Sequence, residues 1–460
     1  MNSKTDLWID SRREEIIAAL QKLITFKSVS CRSDVPGEPF GPQCKKALTH
    51  TLGLCEQMGF APVDMDGYIG YADYGKGEET LGILTHLDVV PEGDGWTKAG
   101  PYEGRVIDGW MVGRGTLDDK GPAIASVYAL AAVKEAGYEF RRNVRLIFGC
   151  DEENGMGCLT HYMEHERIPD LAFSPDAEYP LVNSEKNIYH CKLAYEYPSA
   201  ITFKAGTVVN AVPGFAEGFV PCALEVVQAA MAGMGGLEAR AAEGGAVIAA
   251  TGSAAHASTP ECGKNAIQMM IALLCRLPLP EADLSALDGL KAAFGMEYNG
   301  ESAGLDKADE SGRLTLNLGL MDWNQRGYTL SIDIRAPISV PEDEISEKLA
   351  AALPMAKLVD VSFSHGHYVP EDSELVSGLL KVYRQRTGDM SAPKRIGGGT
   401  YARHFDTAVA FGIEREYREN RLHMVDEALN MDDFIEDVKI MADAIVELAC
   451  VKQGRESRES

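Results

Sequence analysis

Leu81-Gly82-Ile83-Leu84-Thr85-His86-Leu87-Asp88-Val89-Val90 is an apolar run broken only by a threonine, a histidine and an aspartate. A short, bounded hydrophobic stretch of this kind reads as a buried strand of an α/β sheet. Two further runs have the same form. Asn143-Val144-Arg145-Leu146-Ile147-Phe148-Gly149 leads into Glu152-Glu153, and Leu171-Ala172-Phe173-Ser174 leads into Asp176. Ligands in open α/β sheets bind outside the carboxyl ends of the strands. Asp118 in GRGTLDDKGP and His423 in ENRLHMVDE add to the set. Two histidines and several carboxylates gathered at strand ends make a metal site the leading expectation.

The stretch from 80 to 180 alternates strand-like and helix-like segments. After Asp118-Asp119-Lys120-Gly121, Pro122 stands where an N1 proline would, and a helix is expected to run to Gly137. This βαβ rhythm predicts an α/β fold with a mixed, mainly parallel sheet flanked by helices. The rhythm changes near residue 186. Leu314, Leu316, Leu318 and Leu320 recur at period 2, as do Leu330, Ile332 and Ile334, and Met321-Gly327 between them reads as the turn of an antiparallel hairpin. Residues 187–372 therefore form an inserted α+β lid domain, and 1–186 with 373–460 form one discontinuous catalytic domain. Ile9, Ile16, Ile17, Leu20, Leu23 and Ile24 predict one amphipathic first helix, and the polar tail Gln453–Ser460 is expected to fray. No internal repeat or low-complexity tract is visible.

Composition bounds the partners. The 460 residues suffice for two or more domains, and 45% hydrophobic with 25% charged residues is ordinary for a globular enzyme. A formal charge of −25 argues against nucleic acid or an anionic membrane as partner. The N-terminus lacks the apolar core of a signal peptide, and no run reaches the roughly 18 residues that cross a bilayer. Ten cysteines are scattered without a C-x-x-C pair, and Cys150, Cys191 and Cys275 lie in apolar surroundings. A cytoplasmic location follows as the expectation.

Each motif has a plain reading beside the chemical one. A strand-end His86 can be an ordinary structural residue; Asp88, two residues on, can point to the same side and accept its free ring N–H. Asp118-Asp119 can be a polar turn, or a carboxylate that bridges two cations. Glu152 and Glu153 can be the solvated start of a helix, or a proton carrier beside a metal ligand, since neighbours cannot share one orientation. Gly397-Gly398-Gly399-Thr400 lacks the ending of a phosphate loop, and is a turn or a cradle for a carboxylate. His365-Gly366-His367 reads as a surface loop. Arg335 lies on the phase opposite Leu330, Ile332 and Ile334 and need not be buried.

Taken in order, THLDVVPEGDGW, GRGTLDDKGP, DEENG, SPDAEYPLVNSEKN, GSAAHASTPECGKN and GGGTYAR resemble the co-catalytic di-zinc metallopeptidases of the aminoacylase and carboxypeptidase G type. The resemblance is strongest to the PepV-type (Xaa-His, carnosinase-like) dipeptidases and spans residues 84–427. It implies that His86 and Asp176 bind one metal, that Glu153 and His423 bind the other, and that Asp118 bridges them. It implies Asp88 as the group orienting His86, Glu152 as general base and His256 as oxyanion stabiliser. Asn210, Arg335, Gly399 and Thr400 match substrate-contacting positions, and the Asp118–Asp119 peptide is expected to be cis. The implied cofactors are two divalent ions, Zn²⁺ first and Mn²⁺ or Co²⁺ as alternatives. The sequence departs from relatives at LHMVDE around His423, where His-Gln-x-Asn-Glu is usual. The implied reaction is hydrolysis of unblocked dipeptides by a monomer that closes its own lid, with a dimer as the alternative. An N-acyl amino-acid amidohydrolase and a catalytically silent binding protein are the other functions open to such a sequence.

Overall fold

A computed structural model describes residues 3–451, and the polar tail expected to fray lies outside the described residues. The chain forms two compact units. The first comprises residues up to Asn183, Val369–Lys394 and Thr400 onward; the second comprises Ser184–Tyr368 and Arg395–Gly399.

In the first unit the strands run in the order Ala61–Met65, Ile69–Gly75, Asn143–Gly149, Thr80–His86, Leu171–Ser174 and Ala408–Ala410. The last four pair in parallel, and the first two are antiparallel additions at the edge. The central strand is buried along Leu81–His86, which is why its sequence is continuously apolar rather than alternating. His86 pairs in register with Gly149, so the histidine and the turn bearing Glu152-Glu153 leave the sheet at the same level. Asp176 follows the parallel strand Leu171–Ser174 at that same end. Helix Lys120–Glu135, buried from Lys120 through Val133, packs against helix Met431–Ala449. It begins two residues earlier than the Pro122 signal suggests, with Asp119 at its cap. Pro122 thus lies at the third helical position, where the missing N–H has no intrahelical partner to lose.

The N-terminus forms two helices rather than one, Lys4–Ser11 and Arg13–Ile24, separated at Arg12. Ile9, Ile16, Leu20, Leu23 and Ile24 are still all buried, and Ile17 packs at the margin of the core.

The second unit is an antiparallel sheet backed by helices Ala266–Leu274, Glu281–Phe294 and Glu342–Ala352. Its central hairpin pairs Thr315–Asn324 with Gly327–Ala336, so Met321–Asn324 belong to the strand and only Gln325-Arg326 turn. The period-2 pattern breaks where the register shifts between Leu318 and Leu320. Leu314, Leu316 and Leu318 are buried, Leu320 is only half-buried, and Met321 and Trp323 take over the inner face. A Cβ on Gly319 would lie 2.2 Å from the Val209 carbonyl, so this glycine admits the loop that carries Asn210. Among the described residues, no helix is long and apolar enough to cross a membrane. All ten cysteines are free thiols; Cys150 and Cys191 are buried and Cys275 is half-buried.

Candidate active site

His86, Asp118, Glu153, Asp176 and His423 come together as two groups that share Asp118. One oxygen of Asp118 lies 2.8 Å from Nε2 of His86, and the other lies 2.8 Å from Nε2 of His423. Asp176 is 3.8 Å from the same nitrogen of His86, and Glu153 is 3.1 Å from that of His423. A carboxylate that faces a different imidazole with each oxygen has the arrangement of a bridging ligand. The Asp118–Asp119 peptide is cis.

Local contacts aim each group. The Nδ1 of His86 donates to the main-chain carbonyl of Asp88 at 3.0 Å, which leaves Nε2 as the unprotonated nitrogen facing Asp118. The tautomer is therefore set by the Asp88 backbone; its carboxylate is 3.5 Å away and has a different task. Its two oxygens accept the N–H groups of Glu152 and Glu153, each at 3.1 Å. A fully buried carboxylate is satisfied by main-chain donors when no cation faces it. Asp119 accepts the His86 N–H at 2.9 Å.

The electrostatics of this cluster fit a divalent cation. Nε2 of His86 and the facing oxygen of Asp118 are buried, and they meet at 2.8 Å without hydrogen-bond geometry. Burial pushes Asp176 well above the usual carboxylate range, and the charges of Asp118 and Asp119 add to the shift. Burial likewise lifts Glu152 to about 8, reinforced by Glu153, Asp118 and Asp88 and opposed by His86. Burial would lower His423, but the Asp118 and Glu153 carboxylates overcome it and raise the imidazole to about 10. The crowded carboxylates raise one another and draw the imidazoles toward their charged forms, a repulsion that a dication among them would relieve.

The description "Peptidase family M20/M25/M40" matches residues 82–447, most of the chain. The chain belongs to peptidase family M20/M25/M40. As a member of that family it is a metallopeptidase. It is 33% identical over 455 residues to the putative dipeptidase YtjP of Bacillus subtilis, covering 95% of this chain and 98% of the relative. It is 30% identical over 460 residues to the beta-Ala-Xaa dipeptidase of Lactobacillus delbrueckii subsp. lactis, covering 95% and 97%. Its fold is similar to that of human carnosine dipeptidase 1, with a TM-score of 0.57 at 15% identity over 96% of this chain and 98% of the other.

The remaining candidates of this M20 peptidase lie on the second unit, except Thr400. His256 sits between strand Gly245–Thr251 and helix Ala266–Leu274. Its Nδ1 accepts the Ser258 N–H at 3.2 Å, which places the ring proton on Nε2. The loops of Asn210 and His256 are joined by backbone bonds, Ala257 N–H to Asn210 carbonyl at 2.9 Å and Val212 N–H to Ala255 carbonyl at 2.8 Å. Asn317 holds the first loop through the Ala211 carbonyl at 2.9 Å.

Arg335 corrects an expectation. It is only 4% exposed, and Nε and Nη2 each donate to the Asp333 carboxylate at 2.7 Å. Asp333 is itself fully buried on the same strand face and takes Nε2 of His190 at 2.9 Å. A buried aspartate requires such partners, which draws the arginine inward. Nη1 of Arg335 donates to the Gly397 carbonyl at 2.7 Å, and a Cβ on Gly397 would meet Ser258 at 2.7 Å. His256, Arg335 and the glycine run are therefore neighbours within this unit. Gly399 is exposed, while the Thr400 hydroxyl accepts the Ala402 N–H at 3.1 Å and caps a short helical turn. His367 is not in a loop but pairs with Glu185 as a short strand.

Sequence reasoning missed Asp119, Asp333 and Glu427 as parts of this machinery. Asp333 had a visible signal, since Asp333 and Arg335 are two apart on a strand whose alternate residues are apolar. Glu427 had none.

Proposed function

We propose that this M20 peptidase is a metal-dependent dipeptidase that hydrolyses unblocked dipeptides. The observation that carries the reading is Asp118, with one oxygen turned to each of two imidazoles at 2.8 Å. His86, Asp118 and Asp176 would hold one divalent ion, and Asp118, Glu153 and His423 a second. Imidazole and carboxylate donors suit Zn²⁺, and also Mn²⁺ or Co²⁺. Bound there, such ions supply Lewis-acid polarisation of the scissile carbonyl and lower the pKa of water.

The protein's own groups do the rest. Glu152 belongs to neither ligand group, which leaves its carboxylate to take a proton from the attacking water and return it to the departing amine. Asp88 holds the peptide of each glutamate, so the two side chains keep separate orientations. His256, with its proton on Nε2, would be the donor for the developing oxyanion. The Arg335 hydrogens not spent on Asp333 and Gly397 would bind the substrate's C-terminal carboxylate, helped by Asn210, Gly399 and Thr400. The unit containing His256 would act as a lid over short peptides within one chain, which favours a monomer. A cytoplasmic location accords with the ten free thiols.

Relatives at 30% identity or more carry dipeptidase names, which favours dipeptides over N-acyl amino acids. The deciding experiment is hydrolysis of a dipeptide panel beside N-acetyl amino acids, after dialysis against a chelator and after return of Zn²⁺ or Mn²⁺. Dipeptides should be cleaved, and only by the metal-restored protein. Preferential cleavage of the acetylated set would assign the chain to the deacylases, and full activity after chelation would remove the metal reading.

A further inference from the structure

His423 lies in an irregular stretch between strands Ile413–Glu414 and Ala428–Asn430. The other candidate ligands have close anchors. His86 ends a central strand, Asp118 precedes a buried helix, Glu153 is tied through Asp88, and Asp176 sits between two paired segments. His423 instead has a left-handed backbone, φ +59°, as does Asp426 at +56°, a region that non-glycine residues seldom occupy without support.

The support comes from the two acidic residues just beyond it. Asp426 accepts the N–H groups of Thr97 and Lys98 at 2.9 and 3.1 Å and the Thr97 hydroxyl at 2.5 Å. Glu427 is 1% exposed. Its Oε1 accepts the N–H groups of Leu117 at 2.9 Å and Gly115 at 3.1 Å, and more distantly that of Asp118 at 3.4 Å. Its Oε2 takes the buried guanidinium of Arg114 at 2.7 Å. The Glu427 carbonyl accepts the Gly113 N–H at 2.9 Å. Residues 113–118, which carry the bridging carboxylate, are thus fastened to the segment that carries His423.

We propose that Glu427 is the positioning residue of the second metal position: its carboxylate fixes the His423 segment against the Asp118 loop. The inference rests on reading Asp118, Glu153 and His423 as a metal group. The effect is selective because Asp118 has a second anchor. Asp119 is joined to the buried helix through its carbonyl, which accepts the Ala123 N–H at 2.9 Å, and its carboxylate accepts the His86 N–H at 2.9 Å, so the His86–Asp118–Asp176 group keeps its frame without Glu427. The His423 segment keeps other ties without that carboxylate, but apart from the His423 ring they reach only Gly113 and earlier residues: the Glu427 carbonyl on Gly113, Ala428 beside Val112, and Asp426 on Thr97 and Lys98.

Every neighbour of the Glu427 carboxylate is a donor, so Glu427→Gln turns an amide NH₂ toward donors and breaks the clamp. Glu427→Asp keeps the charge opposite Arg114 but withdraws it by one methylene. The test is equilibrium dialysis of the full chain against Zn²⁺, with metal analysis and thermal unfolding of the chelated protein. Wild type should bind two equivalents. Glu427→Gln leaves the buried Arg114 guanidinium without its carboxylate, so when chelated it should unfold below the wild-type temperature, and the metal comparison is made well below that transition. The variant should bind its second equivalent ~10–100-fold more weakly, the usual effect of losing a group that orients a ligand, with the first equivalent unchanged. Glu427→Asp should show a smaller loss in the same equivalent, and it is read by the same criterion if the glutamine variant does not fold. Equal weakening of both equivalents, or of neither, overturns the inference. A wild-type chain that binds no second equivalent overturns the metal reading itself, and the clamp with it.

Discussion

Glu152→Gln separates proton transfer from metal binding. Both peptide N–H groups of the Glu152-Glu153 pair are held by Asp88 at 3.1 Å, so an isosteric change in one side chain leaves its neighbour's backbone in place. Glu152 belongs to neither ligand group, whereas Glu153 lies 3.1 Å from His423 within one of them. Glutamine fills the same volume and removes only the capacity to take a proton. A missing general base costs ~10²–10⁴-fold in turnover, which is roughly 3–5 kcal/mol of barrier. Glu153→Gln instead removes one of three side chains from the second group. Losing a mere supporting partner weakens metal binding ~10–100-fold, so losing a ligand should weaken that equivalent on the order of 100-fold or more. Turnover of a free dipeptide at saturating Zn²⁺ is measured beside bound metal at limiting Zn²⁺. Glu152→Gln should bind metal like wild type and turn over poorly at any metal concentration. Glu153→Gln should be metal-poor and recover in part as metal is raised. The opposite pattern would show that the two glutamates have exchanged roles.

Arg335→Ala should raise KM for free dipeptides ~10–100-fold, the worth of a hydrogen bond to a charged group, and leave C-terminally amidated dipeptides far less affected; equal losses on both would remove the carboxylate role. The same change strands the buried Asp333, so it should also cost about 3–5 kcal/mol of stability, read as a lowered melting temperature. Hydrogen bonding and charge from Arg142, with help from Arg141, hold Glu374 down to about 2. Its stabilisation is then present above the carboxylate's usual 4.5 and lost as pH falls through 2, so Glu374→Gln should melt below wild type at pH 7 and match it near pH 2; a gap that persists in acid would refute this. Mixing inactive His256→Ala with inactive Glu152→Gln protein should restore no dipeptidase activity if each lid serves its own chain, and rescue would show a shared one.

The parts of this enzyme that are legible in its sequence are those whose cause is local. Leu81–His86 is apolar because its strand is covered on both faces, and a histidine at its end must emerge with the neighbouring strand ends. Periodicity failed where a tertiary contact altered it. The Leu314–Leu318 phase slips because the Asn210 loop presses on Gly319, and Leu320 gives up the core to Met321 and Trp323. Asp333 and Arg335 lie between these cases. Two opposite charges two residues apart must share a strand face, and an apolar strand gives them no cheaper partner than each other, so their pairing could have been inferred. The task of Asp88 could not, because spacing brought it near His86 while its carboxylate went to the glutamate amides. Glu427 is the limiting case. Its partners are N–H groups more than 300 positions earlier in the chain. Every residue except proline carries a backbone N–H, and arginines are many, so neither composition nor spacing tells which amides and which guanidinium this carboxylate meets. Only the folded chain reveals that Glu427 is attached to the loop of the bridging aspartate, while Asp426 beside it goes to Thr97 and Lys98.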